Sequence, residues 1–475
     1  MRQSVFTLLT HTHTHTHTPR HSGGFLLLGS LGSEPAGAMA LLRRVEPVIV
    51  LEQLGNTLFE TALQLVVSDR SANASYPGLT PEDSRQKAIT DFYLTYSLVV
   101  RFTPILPALL LARISDRGWR RVPVALPLGG YLLSRLALLL VVVSGLPVSV
   151  MFGGAFLFGL SGGYGAFWAG VMTVVSLGST GKDRSKAMMM VELLYGIAGL
   201  VGSLVSGHLF LLYTSSLGHG TILLIVSILL HLLCLLLAVF LLQVKQVTGG
   251  GSGGPEEEGH LLSGSSNEAP VVEAAAGIDK VNVALLFVAA FLYDFAVGGA
   301  VSMLVAFVLK EPLSWNATQV GYGNAASCAI FLTSFLGVVA FRRCVSDVGL
   351  ILIGMLSFAS GIFFMSFVTA TWMFYLARLL TLFALIPMPT IRSLLSQQVP
   401  SSLYGTSLTL LQITLKFAGL AYLPAFTKIY QGTLDWFPGL VFMLASLFTV
   451  LGMVPISIIG WRLPLRQRYE RILGD

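Results

Sequence analysis

The stretch Ala112-Arg113-Ile114-Ser115-Asp116-Arg117-Gly118-Trp119-Arg120-Arg121 stands between two long apolar runs. Four arginines and one aspartate crowd a connection too short to be a domain. The flanking apolar runs are each roughly twenty residues long, about what crosses a ~30 Å hydrocarbon core. A basic turn between two such runs reads as a cytoplasmic loop of a membrane protein.

The rest of the chain agrees. It is 54% hydrophobic and 11% charged, against roughly 25% charged in a soluble domain. The expected fold class is therefore an all-α polytopic membrane protein. The net charge of +6 follows from loop arginines and lysines and does not point to nucleic acid. The three cysteines, Cys234, Cys328 and Cys344, lie within or at the end of apolar runs, which indicates neither a disulfide framework nor a metal site.

Twelve spanning candidates follow: 45–67, 92–112, 122–144, 149–177, 187–213 and 219–243, then 281–309, 320–341, 348–368, 371–396, 404–428 and 437–460. Between the sets, 244–280 carries Gly249-Gly250-Gly251-Ser252-Gly253-Gly254 and then Glu256-Glu257-Glu258, a flexible linker. The expected organisation is an N-terminal cytoplasmic segment 1–44, a six-helix bundle 45–243, the linker 244–280, a second bundle 281–460 and a cytoplasmic tail 461–475. Within the first segment, His11 to Thr18 alternates His and Thr. It reads as a translated repeat upstream of a second start at Met39 rather than as a metal site.

Basic residues assign the sides. One side collects Arg43, Arg44, Arg113, Arg117, Arg120, Arg121, Arg184, Arg342, Arg343 and the arginines after Trp461; the other holds few. Both termini and the linker are expected in the cytoplasm. The sequons Asn73-Ala74-Ser75 and Asn316-Ala317-Thr318 fall on the opposite side, making Asn73 and Asn316 candidate glycosylation sites. Plasma membrane is the expected location. Glu257-Glu258-Gly259-His260-Leu261-Leu262 and Tyr469-Glu470-Arg471-Ile472 resemble sorting signals and leave an endosomal or lysosomal membrane open.

Ionisable groups within a span are costly and usually face a cavity or a partner. Glu52, Asn56, Glu60 and Gln64 recur every four residues along the first span, forming either a wall of a water-filled pathway or a buried polar seam. Glu192, in the fifth span, is the kind of sequestered carboxyl that a proton-coupled carrier needs; a structural ion pair is the plainer reading. Arg392 follows Ile386-Pro387-Met388-Pro389 in the tenth span, and the fourth holds Gly159-Leu160-Ser161-Gly162-Gly163-Tyr164-Gly165-Ala166-Phe167-Trp168. Interrupted spans at matching positions of two halves point to a carrier's binding site. Arg101, Arg135, Asp294, Arg378 and Lys416 are further candidates. More cations than anions stand among them, so a shared cavity would favour an anion.

The string Ala112-x-Ile114-Ser115-Asp116-Arg117-x-x-Arg120-Arg121 resembles the loop motif G-x-L-A-D-R-x-G-R-R of the major facilitator superfamily, with Ala112 for the leading Gly and Trp119 where Gly is usual. The resemblance implies a major facilitator fold of 12 transmembrane helices in two six-helix bundles, with Asp116, Arg117, Arg120 and Arg121 gating the inner mouth. Val45-Glu46-Pro47, Pro312-Leu313-Ser314-Trp315-Asn316, Gly321-Tyr322-Gly323 and Thr390-Ile391-Arg392-Ser393 narrow the likeness to solute carrier family 46, which includes the proton-coupled folate transporter. That implies proton-driven import of organic anions by alternating access. Glu192 would match the coupling carboxylate, and Arg392 would be a substrate-binding residue with Glu52, Asn56, Glu60, Asp294 and Trp168. The folate carrier's aspartate and histidine correspond to Leu160 and Val297, so muropeptide- or cyclic-dinucleotide-like cargo is preferred to folate.

No cofactor is expected beyond the proton gradient, and no metal, nucleic acid or enzymatic activity; no nucleophile–base pair or phosphate loop is present in the soluble segments. Expected partners are a small organic anion, protons and the lipid membrane. Two readings stay open beside the symporter: an uncoupled facilitative carrier, and a non-transporting membrane receptor or scaffold with a carrier fold.

Overall fold

The structure is a computed structural model that describes residues 44–474, apart from 73–74, 76, 78–80, 182, 214–220, 245–278, 311, 316 and 434–435. The expected segment 1–44 (but for Arg44), nearly all of the linker, its dileucine string, and Asn73 and Asn316 lie outside the described residues.

The described chain is helical throughout. Its first half contains α1 (Glu46–Arg70), α2 (Pro81–Phe102), α3 (Ile105–Asp116), α4 (Val122–Val143), α5 (Val150–Leu160), α6 (Gly163–Leu177), α7 (Arg184–Tyr213) and α8 (Thr221–Leu236), the last ending in a π-helical turn, Leu237–Leu241. The second half contains α9 (Lys280–Leu309), α10 (Ala317–Phe341), α11 (Asp347–Met365), α12 (Thr371–Leu380), α13 (Pro387–Gln397), α14 (Tyr404–Thr433) and α15 (Leu440–Gly474). The segment expected as a tail from 461 onward continues α15 instead.

Among the described residues, nine helical stretches are long and apolar enough to cross a membrane. Two of the twelve expected spans, the first and the tenth, fall short for identifiable reasons. The first, α1, carries the four-residue polar stripe. The tenth is split into α12 and α13, because Pro387 takes the first turn of a new helix, where its missing N–H costs nothing.

That split leaves backbone groups to satisfy, and neighbours satisfy them. Ser334 and Thr333 donate to the Leu382 carbonyl, at 3.0 and 2.7 Å. Ser357 donates to the Leu380 carbonyl at 2.6 Å and accepts from the Phe383 N–H at 3.2 Å. Tyr293 donates to the Ala384 carbonyl. A break at membrane depth is tolerated only where protein groups do this.

Within the first half α1 packs on α7 and α8, and α4 on α5, α6 and α8; within the second, α9 packs on α14 and α15, and α11 on α12, α13 and α15. The halves meet through α7 on α10 and α13, and through α3 and α6 on α14. Leu106, Leu110, Phe240, Leu356, Phe363 and Trp372 are among many large apolar side chains left exposed, as expected of a surface facing lipid.

Candidate substrate and proton site

Three features put charged and aromatic side chains between the halves. α7 starts after Asp183 and carries Glu192 two turns along. Helix α13 restarts at Pro387 and carries Arg392 on its buried face. The α5–α6 break at Gly162, with φ of 100°, starts a fresh helix whose first turns bring Tyr164 and Trp168 to the same place.

There the Arg392 guanidinium donates to a Glu192 carboxylate oxygen at 2.5 Å, an ion pair joining the two halves. The Arg392 guanidinium carbon also lies 5.9 Å from the centre of the Trp168 ring, a cation–π contact. Both residues border a cavity of about 300 Å3 that Arg101, Asp294, Gln412, Lys416, Tyr164 and Tyr422 also line. Three cations therefore face two carboxylates, and Arg101 and Lys416 come from opposite halves. A second cavity of about 390 Å3 lies within the first half, lined by Asn56, Glu60, Gln64, Ser97, Arg135 and five tyrosines, of which Tyr164 borders both spaces.

The expected site residues therefore divide. Arg392, Glu192, Asp294 and Trp168 share the central cavity, while Asn56 and Glu60 line the neighbouring one. Glu52, expected among them, is 0% exposed and lines neither cavity. It points into the first half because α8 and α4 cover that face of α1. Arg378 sits over Phe374 at 5.2 Å, away from both spaces. Arg101 and Lys416 are brought to the cavity by the fold, as are Tyr164, Gln412 and Tyr422, which carried no polarity signal strong enough to single them out.

The arginine-rich end of the molecule is closed. Asp116 accepts from the Gly405 and Thr406 backbone N–H groups, each at 2.8 Å, and so caps the start of α14. Gly405 must lack a side chain there, since a Cβ would fall 2.8 Å from the Asp116 carboxylate. Arg120 pairs with Asp116 at 3.0 Å and donates to the Ser401 carbonyl at 2.9 Å. Arg117 is exposed, and Arg121 reaches only the Val239 carbonyl of its own half, at 3.4 Å. Of the four expected gating residues, Asp116 and Arg120 are thus the two that touch the other half.

A second set of contacts closes the same end, and the sequence alone did not reveal it. Arg342 pairs with Asp183 at 3.2 Å. Ser185 donates to Asp347 at 3.0 Å and Arg184 to the Ser396 hydroxyl at 2.9 Å. Gln397 donates across to the Gly181 carbonyl at 3.4 Å and, within its own half, to Asp347 at 2.9 Å. The available signal was polar residues at both the 178–186 and 342–347 connections, but nothing in either string says they meet.

A two-half helical bundle with a charged central cavity and a sealed polar end defines a membrane transporter, and comparison agrees. The major facilitator superfamily profile matches residues 49–424. Solute carrier family 46 member 2 of Canis lupus familiaris is 40% identical over 88% of this chain and 93% of its own length, and that of Mus musculus 39% over 90% and 94%. The lysosomal proton-coupled steroid conjugate and bile acid symporter of Homo sapiens is 26% identical over 90% and 91%. The human organic anion transporter MFSD10 superposes with a TM-score of 0.64 at 15% identity, covering 89% of this chain and all of that one. FucP in its outward conformation also reaches 0.64, at 12% identity, over 89% and 98%. The chain is a major facilitator superfamily transporter, a multi-pass membrane protein and not an enzyme. Within that superfamily it belongs to solute carrier family 46.

Proposed function

We propose that the chain is a proton-coupled symporter that imports organic anions by alternating access. The observation that carries this reading is the Glu192–Arg392 ion pair, which joins the halves at the edge of a cation-rich cavity. While Glu192 is ionised it occupies the Arg392 guanidinium. A proton on Glu192 cancels its charge and frees the guanidinium, whose forked N–H groups suit a carboxylate, sulfate or phosphate. Arg101 and Lys416 add positive charge from both halves. Anion and proton then each favour the other's binding, as reciprocal linkage requires.

The arginine-rich end is read as cytoplasmic, which places Asn73 and Asn316 outside as glycosylation sites and makes the closed state the one facing outward. Loss of an electrophoretic shift on deglycosylation in the Asn73→Gln, Asn316→Gln double variant checks that side. Plasma membrane is the preferred location. For cargo, a glycopeptide- or nucleotide-like anion is favoured over folate, since Leu160 and Val297 stand where the folate carrier has an aspartate and a histidine. The relative named for steroid conjugates and bile acids adds that class to the panel.

Proteoliposome uptake at acidic and at neutral outside pH tests the reading, with muropeptides, cyclic dinucleotides, sulfated steroids and folates as probes. Acid-driven uptake of at least one anion in wild type, lost in Glu192→Gln while exchange of preloaded anion persists, is the expected result. Equal rates at both pH values would favour the uncoupled facilitative carrier. Binding without flux would favour the receptor or scaffold.

A further inference from the structure

The first half buries a second carboxyl that the Glu192–Arg392 pair does not involve. Glu52 is 0% exposed, and neither of its oxygens meets a donor at hydrogen-bonding distance and angle. From α4, the Tyr131 hydroxyl and the Arg135 guanidinium face it. From α8, His231 packs on Gly55 and Cys234 donates to the Val48 carbonyl at 3.1 Å. Tyr195 of α7 lies on the same side, as does Tyr96 of α2 beside Arg135. On α1 itself Asn56 donates to Glu60 at 3.0 Å.

Arg135 is the natural counter-charge, yet it is engaged elsewhere. It is 2% exposed, stacked between the Phe59 and Tyr131 rings at 4.2 and 4.4 Å, and donates to the Asn56 carbonyl oxygen at 2.7 Å. His231 donates no hydrogen bond toward Glu52. Its Nδ1 lies 2.9 Å from the Ser227 carbonyl, which can only accept, so Nδ1 carries the ring hydrogen and Nε2, without a partner, is a free acceptor.

A carboxylate sealed from water, with no hydrogen bond donated to it and its nearest guanidinium held on Asn56, is poorly stabilised when ionised. We propose that Glu52 is a second proton-carrying residue of the transport cycle, protonated while the arginine-rich end is closed and deprotonated when that end opens, with Arg135 turning from Asn56 to the carboxylate. The proposal rests on the proton-coupled reading above.

The route in is drawn by one residue. Tyr131 faces Glu52 and also borders the cavity that holds Glu60 and Gln64. Its hydroxyl gives its own hydrogen to the Glu52 carboxylate and takes a proton from a hydronium ion in that cavity, which is left as water, so the phenol is unchanged and one proton moves inward. On opening, the Glu52 O–H bond breaks and the proton leaves toward the opened end. The Arg135 guanidinium then balances the carboxylate's charge, so no net charge is stranded in the half.

Infrared spectra of the purified protein in nanodiscs test this without a substrate. Wild type should show the carbonyl stretch of a protonated acid shielded from water. That band should be absent in Glu52→Gln, an isosteric mimic of the protonated acid expected to fold, and retained in Glu192→Gln. Opening the closed end with Asp116→Asn should diminish it, and in Asp116→Asn, Arg135→Gln it should persist, because the counter-charge is gone. With a sulfated steroid or another transported anion as probe, protons moved per anion should fall by one in Glu52→Gln. A wild-type spectrum without the band, a band surviving in Glu52→Gln, or a band indifferent to Asp116→Asn in protein whose arginine-rich end thiol labelling shows to be open overturns the proposal. Absence of acid-driven uptake in wild type, with the band responding as described, overturns the coupled-transport reading and leaves Glu52 as a conformation-sensitive proton site.

Discussion

At the scale of single residues, polarity within a span was the useful signal, and partnership was what it lacked. Glu192 and Arg392 stand out in the sequence because a charge in an apolar helix is costly. That they neutralise each other at 2.5 Å follows from α7 meeting α13. Removing one partner of a dry buried pair costs about 3–5 kcal/mol. Here the Glu192 side chain is 17% exposed, so Arg392→Ala should cost less, about 1–3 kcal/mol. Adding Glu192→Gln to Arg392→Ala should recover most of that stability, read as thermal unfolding in detergent, while acid-driven uptake stays lost. A double variant no more stable than Arg392→Ala would show that the pair contributes no mutual stabilisation. Glu52 illustrates the converse. Its four-residue spacing with Asn56 and Glu60 suggested one continuous wall, but a straight stripe meets different neighbours along its length, and at Glu52 those neighbours exclude the cavity.

At the scale of elements, the loop after α3 shows how a motif can tolerate a departure. Trp119 replaces the usual Gly, yet the turn forms because Gly118, one position earlier, takes a φ of 104°. The Trp119 N–H donates to the Ile114 carbonyl at 3.3 Å and the Gly118 N–H to the Ser115 carbonyl at 2.9 Å, the paired bonds of a Schellman helix end. Trp119 is left exposed and needs no unusual backbone. Gly118→Ala, where a Cβ would meet nothing within 4 Å, should cost about 1–2 kcal/mol from backbone strain alone. Trp119→Gly should change stability by less than about 0.5 kcal/mol. Chemical or thermal denaturation of both variants reads the difference, and equal losses would refute the assignment of the turn to Gly118. The paired breaks, α5–α6 and α12–α13, were legible from glycine and proline; the hydroxyls of Ser334, Thr333 and Ser357 that make the second break tolerable were not.

At the scale of the whole molecule, one end is held shut by contacts from two separate loop pairs. Asp116 caps α14 and Asp347 receives Ser185 and Gln397. Charge-assisted hydrogen bonds of this kind exceed neutral ones, so Asp116→Asn should shift the population toward the conformation open at that end. A single cysteine at Ser393, buried in the closed state and placed in a background without native cysteines, should then react several-fold faster with a membrane-impermeant thiol reagent added from the arginine-rich side. Unchanged reactivity would show that the second set of contacts suffices to hold that end closed. Asp347→Asn is expected to act in the same direction, and the two substitutions together should exceed either alone.

Local composition determined the membrane setting, the two-half layout, the position of the helix breaks and the identity of the charged residues that had to be accounted for. Each is a property of a segment: its length, its apolarity, its prolines and glycines. The arginine-rich loop pointed to a gate only through its resemblance to the superfamily motif. Only the tertiary structure decided which charges meet. Arg101 and Lys416 are more than three hundred residues apart and Glu192 and Arg392 two hundred, and their convergence depends on how α3, α6 and α7 pack against α13 and α14. The same packing keeps Glu52 out of both cavities. A sequence pattern fixes a side chain's face on its own helix; what lies opposite that face is set by long-range packing between helices.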